Sequence, residues 1–140
     1  MQKDTSALLA ELQNYKSFKA FYNENSNQLT DKTLSEYLNL LLQQKGIKKA
    51  DAVRNSELND IYAFQIFSGV RVPERKKLLC LAIGMELDLK ETQNLLKCSG
   101  YAQLYVKNPF DCIIIYGICN KYSVAEINSI LFEYDFETIG

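Results

Sequence analysis

The chain has no histidine among its 140 residues, and this absence excludes a large part of protein chemistry. Ser–His and Cys–His nucleophile pairs, histidine acid–base catalysis and histidine-containing metal sites all need that residue. The sequence also lacks a glycine-rich phosphate-binding loop and a nucleophile elbow. We therefore expect a protein that is not an enzyme, with no catalytic residue, no metal site and no cofactor.

A strong excess of charge is also missing, because 16 Lys and Arg residues stand against 17 Asp and Glu residues. This balance argues against coating nucleic acid through bulk electrostatics, but it permits a local basic face. Residues 1–30 are neutral, residues 31–100 carry a net +2 and residues 101–140 a net −3. The middle segment contains a basic cluster, interpreted either as a solvated surface or as a binding face: Lys45, Lys48, Lys49, Arg54, Arg71, Arg75, Lys76 and Lys77.

Long apolar runs are absent as well. The longest one, residues 112–119, is too short to span a bilayer, and the polar N-terminus does not resemble a secretory signal. We therefore expect a cytoplasmic protein with no membrane partner. No two cysteines have the spacing of a zinc knuckle or a redox motif. We expect reduced thiols in the core, with a metal or redox role as the alternative, for Cys80, Cys98, Cys112 and Cys119.

Apolar residues recur every three to four positions, and no segment alternates like a strand, so the spacing predicts an all-α fold. We count about eight helices. The first is expected over residues 6–22, followed by a polar linker at 23–28, and a capping box at Thr33 and Glu36 begins the next. Pro73 suits the first turn of a later helix that stops at Gly84. The predicted organisation is an N-terminal helical extension at 1–30, a core domain at 31–100 and a C-terminal helical hairpin packed on that core at 101–140.

An internal similarity appears when the sequence is shifted by 35 residues. Apolar residues of 78–83 then coincide with those of 113–118, and the caps Asp88 and Ser123 align together with their partners Glu91 and Glu126. Two consecutive helical hairpins of one design would explain this match, the second stacked on the first. Chance similarity between amphipathic helices is the alternative.

Residues 46–73 resemble the helix-turn-helix of the phage-repressor-like, or XRE-type, regulators. Residues 48–55 are similar to the first helix of that motif, residues 56–58 to its turn and residues 59–68 to its recognition helix. Glu57 stands where the family usually has glycine. Because a left-handed glutamate costs about 1 kcal/mol, we expect this turn to be shifted.

The resemblance assigns a DNA-contacting role to several positions. Lys49, Ser68 and Arg71 fit phosphate contacts, and Gln65 fits a bidentate pair with adenine. Ile61 and Phe64 are apolar where the family is more often polar, although they fit a thymine methyl group, and Asp60 places a negative charge near the phosphates. The complete set of candidate DNA-binding residues is Lys48, Lys49, Asn59, Asp60, Ile61, Phe64, Gln65, Ser68 and Arg71.

These observations lead to two hypotheses about function. The first is a sequence-specific regulator of transcription that binds duplex DNA through the helix-turn-helix. It would act as a homodimer, with the dimer surface supplied by either the N-terminal helix or the C-terminal hairpin. The second is an adaptor that keeps the helix-turn-helix but no longer reads DNA. It would bind a protein partner through the C-terminal hairpin or through an apolar patch of Ile61, Phe64 and Phe67.

Overall fold

The computed structural model describes residues 3–25 and 33–140, and every regular element in these ranges is an α-helix. The nine helices found there confirm the predicted all-α fold of about eight helices. The chain divides into two compact units with the boundary between residues 32 and 33. The predicted core domain and C-terminal hairpin therefore share the second unit.

The first unit is a pair of short helices, α1 (Thr5–Asn14) and α2 (Phe18–Asn25). The single helix expected over residues 6–22 is wrong, because the chain leaves the helix at Tyr15 and the Ser17 hydroxyl starts a new one by accepting from the amide of Ala20. The rings of Tyr15 and Phe21 pack in a T-shaped arrangement, with 5.4 Å between their centroids. Of the predicted linker, residues 23–25 belong to α2, and residues 26–28 lie outside the described residues.

The second unit is built around one central helix, α6. Its residues 78–82 are almost completely buried, and it packs on α4 on one side and on α9 on another. Gly84 permits the first of these contacts, since a β-carbon there would lie 2.5 Å from the carbonyl oxygen of Ala52. The seven helices of this unit are α3 (Leu34–Lys45), α4 (Lys49–Ser56), α5 (Asp60–Ser68), α6 (Arg75–Gly84), α7 (Leu89–Cys98), α8 (Pro109–Cys119) and α9 (Val124–Glu133).

The predicted 35-residue repeat is present as two stacked hairpins, α6–α7 and α8–α9. Both capping boxes form, at Asp88 with Glu91 and at Ser123 with Glu126. Both hairpins turn through a left-handed residue, Glu86 in the first and, 35 residues later, Lys121 in the second. The contacts of α6 with α9 and of α7 with α8 stack one hairpin on the other, which confirms the predicted arrangement.

The repeat continues past the second helix of each hairpin, where a side-chain amide holds the following segment. Gln93 on α7 accepts from the amide of Leu104 at 2.7 Å and donates to its carbonyl at 2.9 Å. Asn128 on α9 makes the same pair of bonds to Ile139, at 2.8 and 2.9 Å. We call each pair of bonds a clamp, and each hairpin with the segment that follows it a module. The two clamping amides are 35 positions apart, and so are the two residues that they hold. The two modules are therefore equivalent in their backbone paths as well as in their helices.

Two further expectations are corrected by the structure. Pro73 does not lie in the first turn of α6, because Glu74 is the N-cap and Arg75 the first helical residue, while the Pro73 carbonyl accepts a 2.6 Å hydrogen bond from the Tyr101 hydroxyl. Of the four cysteines, Cys80 alone is buried. The other three are exposed on α7 and α8, because adjacent residues of a helix point about 100° apart and a cysteine beside a buried residue can itself face solvent.

Candidate nucleic-acid interface

Helices α4 and α5 form a helix-turn-helix unit, joined by residues 57–59. The Asn59 side chain caps α5 by accepting from the amide of Tyr62 at 3.2 Å. Val53, Ala63 and Ile66 are buried, as the apolar spacing predicts. The turn is not shifted as expected: Glu57 adopts the left-handed conformation itself, with φ 58°. Its carboxylate accepts a 2.9 Å hydrogen bond from the backbone amide of Ala125, a long-range contact that sequence spacing does not predict.

One face of α5 is open to solvent. Asp60, Ile61, Phe64 and Ser68 are exposed on this face, and Gln65 is half-buried at its edge. The structure therefore brings five of the candidate DNA-binding residues together on one face of α5, while Asn59 is the N-cap of this helix. Phe67 does not belong with them, because its side chain is buried. The apolar patch proposed for an adaptor thus loses one of its three members.

The C-terminal end of α5 is fixed by a residue that the sequence did not single out, Asn39 on α3. Its amide nitrogen donates to the carbonyl of Phe67 at 2.9 Å and to the carbonyl of Ser35 at 2.7 Å. Gly69 then turns the chain in a left-handed conformation with φ 87°. In the sequence, an asparagine between the apolar residues of α3 indicates a polar contact at this position. The sequence pattern does not identify the distant partner of that contact.

Ion pairs divide the predicted basic cluster into two groups. Arg75 pairs with the buried Asp111 at 3.1 Å, and it also donates to the carbonyl oxygens of Ala102 and Gln103. The other paired members are Lys45 with Glu91, Arg54 with Asp51 and Lys76 with Glu137. Four members form no ion pair with a carboxylate of the described residues: Lys48, Lys49, Arg71 and Lys77. Three of these four are candidate DNA-binding residues.

Two of the unpaired cations lie against side chains of α5. The Lys49 ammonium is 5.7 Å from the centre of the Phe67 ring, and the Arg71 guanidinium carbon is 6.0 Å from that of Tyr62. Burial raises the pKa of the Tyr62 hydroxyl above its ordinary value, so this ring is neutral beneath Arg71 near pH 7. Both cations therefore lie beside α5.

The polar candidates on α5 already have partners within the fold. Arg71 Nε donates to Gln65 Oε1 at 2.9 Å, so the acceptor that a bidentate adenine pair needs is occupied. The Ser68 hydroxyl donates to the carbonyl of Gln65 at 3.1 Å. The Asn59 side chain is used by the cap. These internal bonds occupy the Ser68 hydroxyl proton and one bond to each amide oxygen, and they leave the amide N–H groups of Gln65 and Asn59 as donors for a base or a phosphate.

The N-terminus of α4 presents backbone donors beside two lysines. Lys48 is the N-cap, has an extended backbone and makes no side-chain cap. The first amides of a helix have no partner within it, and the helix dipole makes this end positive. Together with the exposed Lys48 and Lys49 side chains, this end of α4 has the chemistry that binds a phosphate.

Comparison of the chain with protein-family models, with curated proteins and with solved structures finds no match. None of the helices in residues 3–25 and 33–140 has both the length and the apolar composition that crossing a membrane requires.

Proposed function

We propose that this chain is a non-enzymatic, cytoplasmic regulator of transcription that binds duplex DNA, with α5 entering the major groove. One observation carries the proposal. Arg71 lies at the edge of the open face of α5, where it is bonded to Gln65, while Lys49 lies against the Phe67 ring of the same helix and Lys48 precedes Lys49 in the chain. None of these three cations forms an ion pair with a carboxylate of the described residues. A helix with one open face and flanking cations matches the shape and the charge of a major groove between phosphates.

The proposed regulator acts as a homodimer, since a single recognition helix reads only one half-site. Either the first unit or the outer surface of the α8–α9 hairpin supplies the dimer surface. With three cations at the interface, we expect few phosphate contacts for each protomer. The affinity should therefore be modest and should have a shallow dependence on salt.

The test is a binding selection from a pool of random duplexes, followed by affinity measurements at several salt concentrations. Lys49→Ala and Arg71→Ala should each weaken binding and reduce the slope of log K against log salt by about 1. Lys97→Ala and Lys107→Ala remove the same charge from exposed positions on α7 and its following loop, and they should leave the slope unchanged. If the wild-type chain shows no salt-dependent binding to any duplex of the pool, the proposed function is wrong.

A specific observation favours the adaptor as a second candidate. Beside Ile61 and Phe64, the loop after α5 exposes Val70 and Val72, so the apolar surface continues past the recognition helix. Under this alternative, Phe64→Asp abolishes capture of a protein partner. Tyr105→Asp, which places the same charge at an exposed aromatic residue in the loop before α8, does not. Unchanged capture by Phe64→Asp would exclude an adaptor that docks through α5.

A further inference from the structure

Ile61 and Phe64 are the least expected members of the open face of α5. Ile61 keeps 70% of its surface exposed and Phe64 keeps 43%. They are three residues apart on a helix, so their side chains are neighbours on one face. Apolar surface in this position contributes little to folding, because it stays in water in the free protein. It becomes favourable only when a partner covers it.

The polar groups around this pair are partly engaged within the fold. Gln65 Oε1 accepts from Arg71, and Asn59 Oδ1 accepts from the amide of Tyr62 as the cap of α5. Asp60 has a carboxylate, which repels phosphate. Among the features that base pairs present in the major groove, the C5-methyl group of thymine is the one that an apolar side chain recognises.

The surrounding charge indicates that the partner is a duplex. Arg71, in the loop after α5, is bonded to Gln65, the residue next to Phe64 in the chain, and Lys49 at the start of α4 lies against Phe67 on the same helix. These cations therefore favour a partner that covers the apolar pair and carries negative charge on its flanks. A major groove combines the two features, with methyl groups on its floor and phosphates along its edges.

We propose that Ile61 and Phe64 read thymine methyl groups, so that the preferred DNA site has thymines at the positions facing the start and the middle of α5. This inference rests on the proposed function, because it names the base chemistry that the same site recognises. Arg71 and the two lysines supply position and affinity, and the apolar pair supplies the sequence preference.

The experiment compares a duplex selected by the wild-type chain with the same duplex in which deoxyuridine replaces thymidine. This replacement removes the methyl groups and keeps every hydrogen-bonding group of the base edge. Binding should weaken about fourfold for each methyl group that is contacted, the effect of leaving one buried carbon in water. Ile61→Ala and Phe64→Ala should bind both duplexes with more nearly equal affinity. Lys97→Ala should discriminate between them as the wild-type chain does.

Each outcome bears on a different part of the argument. Failure to bind any duplex overturns the proposed function, and this inference with it. Equal binding of the thymine and uracil duplexes by the wild-type chain overturns the inference and leaves DNA binding in place. Discrimination that persists in both alanine variants also overturns it, because other residues would then read the methyl groups. Both substitutions introduce the best helix former at exposed positions, and helical circular dichroism checks that the variants are folded.

Discussion

The carboxylate of Glu57 accepts a 2.9 Å hydrogen bond from the backbone amide of Ala125, 68 residues further along the chain. Ala125 lies in the first turn of α9, where an amide has no partner within its helix and the dipole favours a negative charge. The left-handed backbone of Glu57 is unfavourable, but its side chain connects the turn of the helix-turn-helix to the C-terminal hairpin. Glycine at this position would relieve the backbone but would lose that connection.

Substitutions of Glu57 should separate these two effects. Glu57→Ala keeps the left-handed backbone and removes the hydrogen bond, so we expect a loss of about 1 kcal/mol in the free energy of unfolding. Glu57→Gly removes the same bond but relieves a strain of about 1 kcal/mol. It should therefore remain close to the wild-type stability. Urea denaturation of the three proteins measures both differences. Equal stability of the alanine and glycine variants would show that the left-handed backbone carries no strain here.

Features set by nearby residues could be predicted from the sequence. The caps at Asn59, Asp88 and Ser123 and the left-handed stops at Gly46 and Gly69 depend on neighbours within a few positions. The internal similarity at a shift of 35 residues was also sufficient for the two stacked hairpins, because it aligns both their apolar residues and their caps. The open face of α5 follows from the spacing of the apolar residues that this helix buries.

Contacts between distant side chains could not be predicted in the same way. The bond from Asn39 to Phe67, the bond from Ala125 to Glu57 and the ion pair of Arg75 with Asp111 join residues between 28 and 68 positions apart. Nothing in the local pattern specifies such partners. For the same reason the sequence could not separate the paired members of the basic cluster from Lys48, Lys49 and Arg71. The division of that cluster is a property of the tertiary structure.

Gly84→Ala should be strongly destabilising. The new β-carbon would lie 2.5 Å from the Ala52 carbonyl and 2.7 Å from the Ser56 amide, and these backbone atoms can move only if α4 moves away from α6. We expect a loss of about 3 kcal/mol or more. Gly46→Ala is the control, because its new β-carbon meets nothing within 4 Å. The only expected loss there is about 1 kcal/mol of stability, from an alanine held in the left-handed backbone at φ 66°. Equal losses in thermal or urea unfolding would contradict the close packing of α4 on α6.

The four thiols should react at two very different rates. Cys98, Cys112 and Cys119 are exposed, whereas Cys80 is buried in the centre of α6. Burial raises the pKa of the Cys80 thiol to about 12, which also suppresses the reactive thiolate. We expect an aromatic disulfide reagent to modify three thiols rapidly in the native protein and the fourth only after denaturant is added. Rapid modification of all four would show that Cys80 is accessible.

The same thiol should make the protein less stable in alkali. The pKa of Cys80 is raised in the folded state, so below its ordinary value of about 9 both states hold the proton and stability is unaffected. Between about pH 9 and 12 the unfolded state releases the proton first, and the free energy of unfolding should fall by up to about 1.4 kcal/mol for each pH unit. Cys80→Ala removes this contribution, so its stability should decline less steeply over the same interval. Parallel curves for the two proteins would contradict the assignment.

Asn128 should control access to Cys80 through the C-terminal segment. Its amide holds Ile139 with two hydrogen bonds, and Ile139 is buried. The next residue, Gly140, lies against the Cys80 sulfur, with 3.4 Å from that sulfur to the place where a β-carbon would be. Asn128→Ala removes both bonds, so we expect residues 136–140 to open locally and Cys80 to be labelled at least several times faster under native conditions.

Gln93→Ala is the matched control for this experiment. It removes the equivalent clamp in the α6–α7 module, where Leu104 is held, and therefore costs a comparable pair of hydrogen bonds. Global destabilisation alone would raise Cys80 labelling in both variants by similar factors. A larger rise in Asn128→Ala at matched stability identifies the C-terminal segment as the cover of this thiol. If both variants label Cys80 at the same rate, the segment does not protect it, and the thiol is reached only through opening of the whole core.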